Sequence, residues 1–207
     1  NLRGTCFDDM VALNANDGQC AQEEGDITDI DIDGIYADYC HSAVRLLSTG
    51  ANLKRVTIRN VHGNFYTYMV GLTHFFGNRK TRGVFDDIVI RDAFAAKALS
   101  PENVGVHSRA HLPLVWVEGA VDVGRLTVEG LSRDEKTVPV ATLRIDEPAT
   151  VRTLTVRDCK MTNALETPVP FMEVAPIPFM VVRGNVGKAT VENIDFTGRW
   201  TQTGRPE

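Results

Sequence analysis

The chain lacks the features that mark a membrane protein or a nucleic-acid-binding protein. No apolar run approaches the roughly 20 residues that a membrane-spanning helix needs, so we expect no membrane partner. Basic residues are not in excess, because 22 Lys and Arg against 27 Asp and Glu give a net charge of −5. A nucleic-acid surface needs clustered Lys and Arg. We therefore expect no nucleic-acid partner either.

Cysteine is scarce, and its spacing excludes the common zinc motifs. The four cysteines contain no CxxC pair. Cys6 and Cys20 flank one loop and could form a disulfide in an exported protein, but an unpaired buried thiol is a common alternative. His107 and His111 have no evident third ligand, so we interpret them as exposed loop residues. The sequence predicts no metal site and no cofactor.

One short pattern recurs six times along the chain, at unequal spacing. Each copy reads apolar, outward, apolar, charged, turn-former, apolar, in which the first three positions show the two-residue period of a half-buried strand. The copies are Ile30–Ile35, Val56–Val61, Ile88–Ala93, Leu126–Leu131, Leu154–Cys159 and Ala189–Ile194. A fixed unit with insertions of variable length is typical of a solenoid, where the insertions leave the stacked strands as loops.

Two positions of the repeat support stacking. The fifth is always Gly, Asn or Asp, the residues that best tolerate a left-handed backbone, so each strand should end in the same bend. The fourth is Asp33, Arg59, Arg91, Glu129, Arg157 and Glu192 in turn. If the coils stack about 4.8 Å apart, these charges form a ladder in which all neighbouring pairs except Arg59 and Arg91 have opposite sign.

The repeats predict an all-β fold, a right-handed parallel β-helix of about six coils over residues 1–200, with a C-terminal tail at 201–207. An immunoglobulin-like sandwich would fit the strand content but predicts no charge ladder. We expect the Pro-rich stretch 167–178 to form a loop or an irregular coil, because Pro cannot donate to a strand ladder. A second strand set lies between the repeats. Its candidates are Met10–Leu13, Ala43–Leu46, Met69–Leu72, Leu114–Val117, Ala141–Arg144 and Phe171–Val174.

The most chemically suggestive segment is an acidic pair directly before a strand. Asp8 and Asp9 precede Met10–Leu13, where a bend can present carboxylates at the coil surface. Glycoside hydrolysis uses one carboxylic acid to protonate the leaving oxygen and one carboxylate to activate water or to attack carbon. If Met10 lies beneath Ala43, then Asp8 lies beneath His41 and Asp9 lies beneath Ser42, and a carboxylate–imidazole group results.

These residues resemble motifs of the pectin-acting β-helix superfamily, particularly its polygalacturonase-like glycoside hydrolases. Asp8-Asp9-Met-Val-Ala-Leu13 is similar to that family's Asp-Asp and following strand, and His41 is similar to the His of its Gly-His-Gly motif. The motif resemblance covers residues 4–48. It implies Asp8 or Asp9 as general acid, the neighbouring carboxylate as part of the base, and His41 as the residue that holds their protonation states.

Three further residues are candidate substrate contacts. Arg45 could supply a cation, and Tyr66 and Tyr68 belong to a dense aromatic cluster that could stack on sugar rings. The other reading of the aromatic cluster, which also contains Phe65, Phe75 and Phe76, is that its members alternate inward and fill the core. We expect each reading to hold for different members.

The leading hypothesis is an enzyme, a glycoside hydrolase of polygalacturonase type or a portion of one, which acts on a polysaccharide outside the cytoplasm, in the extracellular space or the periplasm. The alternative is a non-catalytic solenoid that binds glycans or builds an extracellular or phage-tail fibre. A lyase would need Ca²⁺, for which Asp8, Asp9 and Asp17 are ligand candidates without a supporting repeat. The chain begins at Asn1 and enters a strand with no helix before it. We therefore expect an upstream segment or another chain to cover the first coil.

Overall fold

The computed structural model describes residues 1–16, 25–74, 81–100, 111–165 and 176–204. These residues form eleven strands and no helix. The strands are β1 (Leu2–Asn14), β2 (Ile27–Leu47), β3 (Asn52–Thr73), β4 (Gly83–Lys97), β5 (Val115–Val117), β6 (Val121–Glu135), β7 (Leu143–Ile145), β8 (Thr150–Asn163), β9 (Ile177–Val182), β10 (Asn185–Thr197) and β11 (Trp200–Gly204). In this part of the chain there is accordingly no helix with the length and apolar character needed to cross a membrane.

All strand pairs are parallel, and together they form one continuous sheet wound about an axis. The long strand β3 pairs with β2 on one side and with both β4 and β5 on the other. From β3 the sheet continues as two series of parallel strands, β4–β6–β8–β10 and β5–β7–β9–β11. The predicted parallel β-helix is confirmed.

The predicted register of the six repeats is confirmed at each step. Ile32 pairs with Ile58, Ile58 with Ile90, Ile90 with Val128, and the series continues through Val156 to Val191. The predicted bends are present as well, since the fifth residue of every repeat has a positive φ: Gly34, Asn60, Asp92, Gly130, Asp158 and Asn193. Each coil therefore turns at the same level, which keeps the stacked strands in register.

The apolar positions of the inner repeats fill the space inside the coils. Ile58, Ile90, Val128 and Val156 are at most 2% exposed and belong to one continuous cluster. The outermost repeat differs, because β10 pairs with β8 alone among the described strands and Val191 is 45% exposed. Burial of the repeat thus depends on having a coil on both sides.

The charge ladder lies on the outer surface in the predicted register. Arg59 lies 3.2 Å from Asp33, and Arg157 Nε donates to Glu129 Oε2 at 2.9 Å. Exposed pairs of this kind contribute little free energy. The apolar core therefore supplies most of the stability, and the ladder supports the register.

Two sequence expectations about the C-terminal half differ from the structure, and a third is not tested by it. The candidate strand 171–174 lies outside the described residues, and β9 at Ile177–Val182 occupies the next place in the sheet after β7. Pro178, expected in a loop, is part of β9 and pairs with Thr201 of β11. Because β11 extends to Gly204, the predicted tail at 201–207 begins inside a strand of the β-helix.

Candidate functional site

The predicted site lies where β1, β2 and β3 each change register. Between Cys6 and Asp9, β1 has one residue more than the facing segment of β2, because Cys6 pairs with Cys40 and Asp9 pairs with Ser42. β3 has a similar irregularity opposite the same segment, between Cys40 and Ser42. Such bulges leave residues unpaired and redirect their side chains. His41 is thus flanked by irregular backbone on both neighbouring coils.

Asp9 is a buried carboxylate with three polar neighbours from the next coil. Its side chain is only 3% exposed. The Ser42 hydroxyl donates to Asp9 Oδ1, and His41 Nδ1 lies 3.6 Å from the same oxygen. Arg45 Nε lies 3.0 Å from Asp9 Oδ2. The expected pairing of Asp9 with Ser42 is present, whereas no feature of the sequence predicts that the carboxylate is enclosed.

These neighbours determine the protonation state of Asp9. Burial alone would raise the pKa of the Asp9 carboxyl, since a charged group is poorly solvated there. The His41 ring, the Ser42 hydroxyl and the charge of Arg45 together outweigh that effect and hold the Asp9 pKa below its usual value of 3.8. Asp9 is therefore ionised at neutral pH and is poorly suited to donate a proton.

Asp8 differs from its neighbour in being exposed. It accepts the Asp9 backbone N–H at 2.9 Å, which fixes its carboxylate close to the bulge. One ligand atom each of Asp8, Asp9 and His41 lies within 4.8 Å of the others, a set that could in principle hold a metal ion. The guanidinium of Arg45 already neutralises Asp9, however, and would repel a cation. The geometry favours proton chemistry over metal binding at this site.

The aromatic candidates surround His41 but are buried. Tyr66 is 0% and Tyr68 is 3% exposed, so the burial of these two rings agrees with the reading in which members of the cluster fill the core. They pack against the imidazole, with centroids 5.3 Å and 6.1 Å from that of His41. Burial raises the Tyr66 pKa to about 12. Phe65 is also buried, and Phe75 and Phe76 lie outside the described residues.

Sequence reasoning missed two aromatic residues of this cluster. The Tyr39 ring lies 5.4 Å from the Tyr66 ring, and Trp116 lies 5.8 Å from Tyr68. Tyr39 lies within residues 4–48 but is not one of the residues that carry the resemblance, and Trp116 lies outside that range. The signal that could have found them is stacking, since Trp116 pairs with Gly71 in the second strand series.

The other cysteine and histidine expectations have simple outcomes. Cys6 carries a free thiol, and its N–H lies 3.1 Å from Cys40 Sγ, to which it donates. Cys20, Asp17 and His107 lie outside the described residues.

No family model, no curated protein and no solved structure matches this chain. The site is therefore interpreted from its own chemistry.

Proposed function

We propose that the protein hydrolyses glycosidic bonds of a polysaccharide at the group formed by Asp8, Asp9 and His41. The observation that carries the proposal is that an exposed carboxyl, Asp8, lies within 4.8 Å of an imidazole that is oriented by a buried, ionised Asp9. Glycoside hydrolysis requires a proton donor and a proton acceptor within reach of one bond. Asp8 and His41 are the two members of the group that can touch a substrate.

The environments of the two carboxyls assign different roles to them. Asp8 is the general acid, which gives its proton to the glycosidic oxygen as the C–O bond breaks. His41 Nδ1 faces Asp9 and Ser42, so its Nε2 is the base that removes a proton from the attacking water as the new C–O bond forms. Asp9 is a positioning residue, because it contacts His41 and Arg45 and is closed off from substrate.

This assignment narrows what the resemblance to polygalacturonase-like enzymes implies. Of the two carboxyls offered as general acid, the low pKa of Asp9 favours Asp8. A further motif of that family, Arg-x-Lys, is expected on the coil after His41, but residues 69–73 contain neither Arg nor Lys. Arg45, on the next coil, is a cation that contacts Asp9 of the acidic pair. We accordingly propose a hydrolase of this general type without a polyuronate preference.

The alternative, a non-catalytic glycan-binding or structural solenoid, is favoured by one observation. The Asp9–Arg45 pair is enclosed as a structural ion pair would be. The two proposals separate when the purified chain is tested on polygalacturonic acid and on neutral glucans, galactans and mannans, both for binding in polysaccharide-containing gels and for release of sugar reducing ends. Release of reducing ends supports hydrolysis. Binding without release from any of them supports the alternative.

A further inference from the structure

A column of exposed aromatic rings runs along the outside of the coils. Tyr36, His62 and Phe94 occupy the same outward position on β2, β3 and β4, in direct register. The rings of Tyr36 and His62 are stacked, with centroids 5.2 Å apart and planes 11° from parallel. Tyr36 is 41% and Phe94 is 54% exposed. At about 4.8 Å per coil, the column is about 10 Å long.

Core packing does not account for this column. On β2 and β4 the residues on either side of the ring, such as Ile35 and Ala37, already point inward and are buried. The three outward rings instead leave apolar surface in water, which is unfavourable unless something covers it. A strip of adjacent rings is suited to a ligand with flat apolar faces.

A shallow, open cavity of about 470 Å³ adjoins the column. Asp38 and Asn64, two residues beyond Tyr36 and His62 on the same strands, line one side of it. The remaining lining comes from Tyr39, Thr137 and the segment 97–100. Its volume lies within the range of about 300–1,000 Å³ that is typical of small-molecule sites. The surface thus combines an aromatic strip with nearby hydrogen-bonding groups.

The charges in the cavity select the chemistry of the occupant. Asp38 contributes a carboxylate, which disfavours an acidic ligand. Lys97 is 1% exposed, and its Nζ is turned into the coil, where it donates to the main-chain oxygens of Tyr66 and Thr67. This cation is therefore not presented to a ligand. A neutral sugar, with apolar ring faces and many hydroxyls, meets both requirements.

The column also leads towards the candidate catalytic group. Tyr39 lines the cavity and lies against Tyr66, which in turn lies against His41. We propose that a neutral polysaccharide chain binds over Tyr36, His62 and Phe94 and the adjoining cavity, and so approaches Asp8 and His41. The binding surface stands on its own observations, and its link to cleavage rests on the proposed function.

The test is affinity electrophoresis of the full chain in gels containing neutral glucan, galactan or mannan, with polygalacturonic acid as the acidic comparison. The double variant Tyr36→Ser/Phe94→Ser removes two exposed rings and should leave the fold unchanged. Val191→Ser is the matched control, since it removes an exposed apolar side chain from β10. We expect at least one neutral polysaccharide to retard the wild-type chain and the control equally, and the double variant to bind roughly tenfold more weakly.

Three results would overturn the inference: no neutral polysaccharide retards the wild type, polygalacturonic acid alone does, or the double variant binds as well as the wild type. Sedimentation of the same proteins could give a fourth result that overturns the inference. If the wild type self-associates and the double variant does not, the column contacts a second copy of the chain. Failure of the proposed function looks different, because binding then follows the column while no reducing ends are released.

Discussion

Arg45 Nε lies 3.0 Å from Asp9 Oδ2, and these two residues come from adjacent coils, 36 positions apart in the sequence. The Arg45 main chain pairs with Ala12, so its side chain reaches back along the strand to the carboxylate. Because of this contact and the hydrogen bond from the Ser42 hydroxyl, the two adjacent carboxyls differ: Asp9 is enclosed, whereas Asp8 is exposed.

The enclosure of Asp9 predicts a cost in stability when its charge is removed. Asp9→Asn leaves Arg45 and His41 without their anionic partner, and we expect the free energy of unfolding to fall by about 1–3 kcal/mol in chemical denaturation. Asp31→Asn, at an exposed ion pair with Arg59, is the control and should cost less. Equal losses for the two variants would contradict the structure.

The same contacts predict how acid acts on the fold. Because the folded pKa of Asp9 is lower than its unfolded value, the stabilisation is present above the unfolded pKa of about 3.9 and is lost as the pH falls below it towards the folded value. Asp9→Asn should therefore flatten the dependence of the unfolding midpoint on pH in this acidic window. An unchanged slope would show that Asp9 ionises alike in the folded and unfolded states.

Lys97, a buried lysine, predicts a second pH dependence of stability, in the neutral to alkaline range. Burial, and then the charge of Arg133, lower the Lys97 pKa to about 7, so the unfolded chain binds this proton more tightly than the folded one. Stability should rise with pH between about 7 and the unfolded pKa of about 10.4. Lys97→Met should remove most of this rise in thermal unfolding, whereas Lys188→Met, at an exposed position, should leave it intact.

The positive-φ bends predict a residue preference that contacts alone do not explain. Asp92 has a φ of 54°, which a β-branched residue adopts only with strain. Asp92→Val should lower the free energy of unfolding by about 1–2 kcal/mol relative to Asp92→Gly. Both variants lose the same carboxylate, so their difference isolates the backbone. Equal stabilities would mean that the bend relaxes at no cost.

The fold could be predicted from the sequence because the repeat carries three independent signals at fixed positions. Inward apolar residues, a bend-former and an outward charge coincide in every unit, and the structure stacks all of them in one register. The C-terminal strands were harder to predict. β9 follows a Pro-rich stretch and contains Pro178, which local propensity places in a loop, but pairing with β7 and β11 overrides that preference.

The site could be predicted only in part, since its chemistry depends on contacts between coils. Phe85-Asp86-Asp87-Ile88 repeats almost the same local sequence as Phe7-Asp8-Asp9-Met10, and in both the second Asp N–H donates to the first Asp at 2.9 Å. Asp87 instead lies 3.2 Å from Arg125. Register predicted that His41 would lie near Asp8, but the bulges, the burial of Asp9 and the inward turn of Tyr66 follow from packing.

The segment 85–88, which repeats the local sequence around Asp8, provides the most direct test of catalysis at Asp8. Reducing-end release by the wild-type chain should be compared with Asp8→Asn and with Asp86→Asn on whichever polysaccharide is cleaved. If Asp8 donates the proton, Asp8→Asn should lower kcat by about 10²-fold or more, the usual contribution of a general acid, while Asp86→Asn keeps the wild-type rate. Full activity of Asp8→Asn, or an equal loss in both variants, would contradict the assignment.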